Sequence, residues 1–174
     1  MKHINLAVTA IAAAVLCVLS PISLPMGTIP ISLSLFAICL ISCILSYRQS
    51  VAAVIIYILL GACGIPVFSG FIGGFQQITG ITGGFIIGYI PCSLIVSLLV
   101  GRYPLKKLVY PLSMSIGIII CYLSGTLWYS FQTGADFAAS VTVCVVPFIA
   151  GDIIKIALAS AMGSILRSRL KKYI

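Results

Sequence analysis

Val145-Val146-Pro147-Phe148-Ile149-Ala150-Gly151-Asp152-Ile153-Ile154-Lys155-Ile156-Ala157-Leu158 sits inside an apolar run that extends from Ala138 to Leu166. A helix rising about 1.5 Å per residue needs roughly twenty apolar residues to cross about 30 Å of hydrocarbon, so this run can span a bilayer with tilt or a break. Arg167 and Arg169 follow at once, as they do where a span meets water. Asp152 and Lys155 are the only charges within the run, and both are costly in hydrocarbon.

The rest of the chain agrees. It has 174 residues, 61% hydrophobic and 7% charged, and its mean hydropathy is +1.28. A soluble domain of this size needs more polar surface, so an integral membrane protein is expected, with the lipid bilayer as its surroundings. Ten Lys and Arg against two Asp give a net charge of +8. Most of these basic residues lie between apolar spans and report topology, so no nucleic-acid partner is expected. One His, two acids and no G-x-x-x-x-G-K-[ST] argue against ATP hydrolysis, Ser/His catalysis and a structural metal site. No enzyme, cofactor or metal is expected, and the position of the sole His3 speaks against intramembrane proteolysis as well.

Six apolar spans can be drawn: Ile4 to Leu19, Ile31 to Tyr47, Ser50 to Cys63, Gly83 to Gly101, Val109 to Phe131, and Ala138 to Leu166. The third is short and the sixth long. Between them lie helix-stopping stretches: Ser20 to Pro30 with three prolines, Tyr47-Arg48-Gln49, a Gly-rich outer loop from Gly64 to Thr82 between helices three and four, Arg102 to Lys107, and Gln132 to Phe137. Lys2, Arg48, Arg102, Lys106, Lys107, Arg167, Arg169, Lys171 and Lys172 then all fall on one side, while the opposite loops hold only Asp136. Both termini are therefore expected in the cytoplasm. The first span also fits a secretory signal peptide, whose removal would leave five helices in the same orientation. Leu16 before Cys17 is too bulky for a lipoprotein site. The seven cysteines lie in or at the ends of spans without a C-x-x-C, and read as buried free thiols. With no internal repeat, residues 1–174 are expected to form a single all-α, six-helix transmembrane domain.

Inserting Asp152 or Lys155 at mid-membrane costs about 2.5 to 3.5 kcal/mol each, so something must compensate them. A spacing of three puts both on one helical face, where a mutual ion pair is one solution and a polar cavity open to the outside the other. Pro147 and Gly151 sit just before them, and the missing proline N–H is expected to kink or loosen the helix. Freed backbone groups at membrane depth need protein or a water-filled pocket, which again places a cavity near Asp152. The outer loop Gly64 to Gly84 is uncharged, aromatic in places and rich in glycine, the composition of a lid as well as of a packed re-entrant loop. Phe85 and Tyr89 follow at a spacing of four and could line an apolar pocket, while Trp128 reads equally as ligand contact or interfacial belt. Tyr47, Tyr103, Tyr110 and Tyr173 read as the belt on the inner side. In the first helix, Ala10 and Ala14, and Thr9 and Ala13, form small-x-x-x-small pairs that allow a close helix neighbour.

Four ordered motifs tie these features together: Ile29-Pro30-Ile31-Ser32-Leu33; Leu59-Leu60-Gly61-Ala62-Cys63-Gly64-Ile65-Pro66-Val67-Phe68; Gly80-Ile81-Thr82-Gly83-Gly84-Phe85; and Pro147-Phe148-Ile149-Ala150-Gly151-Asp152-Ile153-Ile154-Lys155. In this order, over essentially the whole chain, they resemble the BioY family, biotin-binding S components of energy-coupling-factor (ECF) transporters. The resemblance implies a six-helix membrane subunit that captures biotin from outside a bacterial cell. It also implies delivery inward with a transmembrane coupling protein and two ATPase subunits, so the missing phosphate-binding loop is expected. The family pattern matches at Gly83, Gly84, Asp152 and Lys155, and Ala10 and Ala14 look like its docking face for the coupling protein. The sequence departs at Ser34, where many members have Gln, and at Ile81, where Pro usually precedes Thr-Gly-Gly.

Biotin offers ureido N–H donors, an apolar ring and a carboxylate. Asp152 suits the donors and Lys155 an anion, although spacing alone leaves open which end each one meets. The assignment carried forward is Asp152 to the ureido group and Lys155 to the carboxylate. Gly73, Gly74, Gly83 and Gly84 are then expected to bring lid backbone over the ring, with Phe85 and Tyr89 as apolar contacts. The competing reading from another class is a stand-alone proton-coupled vitamin carrier in which Asp152 titrates. A third is a non-transporting receptor subunit that docks through its first helix.

Overall fold

A computed structural model describes residues 2–24 and 29–170, with the side chains of residues 2–4 left out. Lys171, Lys172 and Tyr173, and the side chain of Lys2, lie outside the described residues. The element order is α1 (Lys2–Leu19), β1 (Ser23–Leu24), β2 (Ile31–Ser32), α2 (Ser34–Ile44), α3 (Tyr47–Ala62), α4 (Phe75–Thr79), α5 (Gly83–Arg102), α6 (Val109–Thr133), α7 (Phe137–Cys144) and α8 (Val146–Leu170). Three helices, α5, α6 and α8, are long and apolar enough to cross a membrane, and Asn5–Leu19, α2 and α3 are shorter apolar helices. The chain is a helical membrane protein.

Several boundaries differ from the sequence reading for local reasons. Ile31 and Ser32 do not begin a helix; they pair antiparallel with Leu24 and Ser23 in a two-stranded ribbon, and α2 starts at Ser34. α3 starts at Tyr47, ahead of the expected Ser50, because Gln49 Oε1 accepts from both the Ser46 amide (3.2 Å) and the Ser46 hydroxyl (2.7 Å), fixing the first turn. The run from Ala138 is two helices, broken at Val145 (φ −123°, ψ −53°). Pro147 then falls in the first turn of α8, where a missing N–H costs nothing. The expected kink is thus a clean break. The Gly-rich segment is partly ordered as well, since α4 lies within it.

The most extensive helix pair is α5 with α6. It is close because its glycines face the partner helix: a Cβ on Gly117 would meet Cys92 Sγ and the Val96 side chain at 3.0 Å, and one on Gly125 would lie 2.5 Å from the Phe85 ring. Without a hydrophobic drive between helices in lipid, such small-residue seams let dispersion hold the pair. α2 is buried nearly all round and packs against α8. It is the central helix. On α8, Phe148, Asp152 and Ala159 are buried while Ile149, Ile153, Ile154 and Leu158 are exposed, so one apolar face meets lipid and the face carrying Asp152 and Lys155 turns inward.

The two ends of the bundle differ in charge. Arg102 at the end of α5 and Arg167 near the end of α8 share a groove with Ser46 and Tyr47 between α2 and α3. Lys106 and Lys107 lie in the turn after Arg102. At the other end, Trp128 Nε1 donates to the Gly80 carbonyl (2.8 Å) and Gln132 Nε2 to the Thr79 carbonyl (2.5 Å), tying α6 to the segment after α4. Asp136 is in the short turn that follows α6.

Candidate functional site

A cavity of about 480 Å³ opens within the end of the bundle that holds α4. Its wall is aromatic and apolar: Tyr57 from α3, Phe85 and Tyr89 from α5, Tyr122 from α6, Phe148 from α8 and Phe68 from the outer segment. Gln76, Gln77 and the backbone around Gly80 to Thr82 line another side, and Ser32 and Ser34 a third. This is the size and lining of a site for a small, mostly apolar ligand with a few polar groups.

Lys155 is the charged residue of the lining. Its ammonium lies 2.8 Å from Asp152 Oδ1, and the other carboxylate oxygen accepts the Tyr122 hydroxyl. Lys155 has 12% of its side chain exposed and Asp152 only 4%. Asp152 therefore stands behind Lys155, with both oxygens engaged and outside the lining. The mutual ion pair that the spacing allows is formed, and it is not sealed: Lys155 and Tyr122 border the cavity. The carboxylate lowers the cost of keeping the ammonium there, and the ammonium keeps unused donors for a ligand acceptor.

The residues singled out from sequence separate into two groups. Phe85, Tyr89 and Lys155 share the cavity wall. Gly73, Gly74, Gly83 and Gly84 lie outside it, and the backbone shows what they do. A Cβ on Gly84 would run into Trp128 and lie 2.6 Å from the Ser124 carbonyl, and one on Gly83 would run into the Ile78 carbonyl. Gly73 abuts the Ile65 carbonyl, and Gly74 has a φ of +109°, a conformation that L side chains rarely adopt. These glycines let the outer segment fold tightly onto α5 and α6. Trp128 is neither a lining residue nor simply interfacial, since its indole N–H holds Gly80. Ala10 and Ala14 are exposed on α1 alongside Leu6, Ile11 and Val18, while Thr9 and Ala13 form the inward pair.

Sequence reasoning missed Tyr57 and Tyr122. Both lie in the middle of apolar helices, away from the ends where an interfacial belt sits, and a mid-span tyrosine needs a partner for its hydroxyl. That placement is the signal that could have found them. Ser69 lies within the Gly-rich outer segment. It lines the cavity, and its buried hydroxyl has no hydrogen-bond partner among the described residues.

The fold and the cavity together define a class: a helical membrane protein with a small-molecule-sized, aromatic cavity that an ion-paired lysine borders. Comparison with known proteins narrows this. The BioY family model matches residues 1–172. Biotin transporter BioY2 of Lactococcus lactis is 32% identical over 93% of this chain and 89% of its own length. The probable biotin transporter BioY of Pyrococcus horikoshii is 35% identical over 91% of this chain and 93% of its own. The crystal structure of the S-component for biotin from an ECF-type ABC transporter superposes with a TM-score of 0.88 at 24% identity, over 96% of this chain and 92% of that one, which shows the same fold. The chain belongs to the BioY family.

Proposed function

We propose that this protein is the biotin-capturing subunit of an ECF transporter, crossing the membrane six times with both termini in the cytoplasm. The single observation that carries the reading is a part-buried ammonium, held by its own carboxylate, at the wall of an aromatic cavity about 480 Å³ in volume. An apolar bicycle fits between Tyr57, Phe85, Tyr89 and Phe148, and an anionic tail meets Lys155. Asp152, with one oxygen on the ammonium and the other on the Tyr122 hydroxyl, acts by holding Lys155 for that tail, since the ureido group is at the opposite end of the ligand. The names of the relatives support biotin as the ligand.

The six-span arrangement is supported by the three long apolar helices, the three shorter ones and the segregation of basic residues to one end. On this reading the cavity opens outward and the outer segment covers it, tied down by Trp128 and Gln132. With no phosphate-binding loop in the sequence, inward delivery falls to the coupling protein and two ATPases, docked over Ala10 and Ala14. Equilibrium binding of purified protein to biotin, biotin methyl ester, thiamine and riboflavin tests the reading. Biotin is expected to bind tightly, the ester weakly and the other vitamins not at all. Equal binding of ester and acid sinks the role of Lys155, and no binding of biotin sinks the function.

A further inference from the structure

At the end of the bundle opposite the cavity, Ser46, Tyr47, Ser97, Leu98, Gly101, Arg102 and Arg167 border a second, open groove of about 380 Å³. Two arginines border it. Arg167 donates through Nη1 to the Cys43 carbonyl at the end of α2 (2.6 Å), which fixes its plane and leaves its remaining donors directed toward Gly101, where Nη2 is 4.0 Å from the position of a Cβ. Arg102 lies over the Tyr103 ring, 5.8 Å from its centroid.

The chain has no side-chain carboxylate to neutralise them. Its two acids are Asp136 and Asp152. Asp152 is engaged by Lys155, and Asp136 caps α7 at the far end, accepting from the Ala138 amide (3.1 Å). Helix capping explains Arg167 in part, but it does not explain a second arginine bordering the same groove. Paired guanidinium forks match the oxygens of a phosphate. Above the groove, Leu98, Leu94 and Ile87 are exposed along one face of α5, at spacings of four and seven, so an apolar track leads from the bilayer core to the arginines. A free phosphate has no use for that track, whereas a lipid has.

We propose that this groove binds the phosphate of one anionic phospholipid, with Arg102 and Arg167 on the phosphate oxygens and an acyl chain along Leu98, Leu94 and Ile87. Basic pockets between membrane helices bind lipid head groups in this way. The inference needs only that the bundle spans a bilayer. It stands or falls apart from what the cavity holds.

Native mass spectrometry of the delipidated full-length protein tests it, with phosphatidylglycerol, phosphatidylcholine and inorganic phosphate added separately and in competition. One phosphatidylglycerol is expected to be retained in preference to phosphatidylcholine. Arg102→Gln is expected to weaken that binding about fivefold and Arg102→Gln with Arg167→Gln further, to the level of phosphatidylcholine. Lys106→Gln with Lys107→Gln removes the same charge from the same end and is expected to change binding less than about twofold. Equal losses in the two double variants mean diffuse surface charge and overturn the proposal. So does equal retention of the two lipids, or displacement of phosphatidylglycerol by millimolar inorganic phosphate. Should Arg167→Gln unfold the bundle, Arg102→Gln against Lys106→Gln carries the same comparison.

Discussion

Lys155 Nζ lies 2.8 Å from Asp152 Oδ1, one turn back on the same helix, while the other oxygen of that carboxylate takes the Tyr122 hydroxyl from α6. One buried carboxylate thus serves two helices. It holds the ammonium at the cavity wall and ties α8 to α6 through the part of the bundle that the ligand is proposed to enter. Removing either charge strands the other in a low-dielectric site, so the pair acts as a unit.

Lys155→Met is expected to destabilise the protein by about 3 to 5 kcal/mol, because it leaves the buried Asp152 carboxylate uncompensated, and Asp152→Asn by less, because the ammonium it strands borders the cavity. The double variant is expected to recover most of that loss and still to bind no biotin. Thermal unfolding in detergent, read beside calorimetric titration, checks both halves. Recovered binding in the double variant would remove the ammonium from the ligand site.

Tyr122→Phe keeps the ring and deletes the donor to Asp152. An unsatisfied buried acceptor costs about 1 to 3 kcal/mol, so stability is expected to fall within that range. Biotin affinity is expected to fall by roughly tenfold as Lys155 loses its orientation, equivalent to about 1.4 kcal/mol. Unchanged affinity would leave Tyr122 with a purely structural role.

Gly84→Ala separates packing from ligand contact. The new Cβ would collide with Trp128 and the Ser124 carbonyl, so folding yield and thermal stability are expected to drop by about 1 to 3 kcal/mol. The protein that does fold is expected to bind biotin nearly as well as wild type. Lost affinity at unchanged stability would return this glycine to the ligand site.

Ala10→Trp and Ala13→Trp give opposite results on the proposed arrangement. Ala10 is exposed and Ala13 is buried against the bundle. The first is expected to spare biotin binding while blocking uptake with the ATPase module reconstituted. The second is expected to lower stability by at least about 1 to 3 kcal/mol through overpacking. Normal uptake with Ala10→Trp would move the docking surface elsewhere.

Trp128→Phe deletes the indole donor that holds Gly80 and leaves most of the packing in place. The outer segment then loses an anchor, and biotin is expected to dissociate several-fold faster with little change in association, since such losses fall mainly on the off-rate. Stopped-flow release of a fluorescent biotin analogue measures it.

The membrane environment, the order of the apolar segments and the two costly charges are legible in the chain itself, because a hydrocarbon solvent penalises every exception in sight of the sequence. Composition and charge spacing alone led to Asp152 and Lys155. Element edges were less legible: Ile31 and Ser32 pair with a strand, α3 begins earlier through the Ser46 and Gln49 cap, and Val145 breaks the last run in two. Each turns on a partner brought from elsewhere or on a local hydrogen bond that hydropathy does not register.

The amino-acid order by itself determined that this protein lives in lipid, which of its ends is basic and which helix face carries charge. Only the tertiary structure decided that Asp152 stands behind Lys155, that Tyr57 and Tyr122 complete the cavity, that Gly84 serves the seam between α5 and α6, and that Gly83 makes room for the outer segment at Ile78. The first set follows from solvation, which acts on each residue where it stands in the chain. The second follows from which helices meet, and a spacing along one helix says nothing about the side chains that a neighbouring helix brings to it.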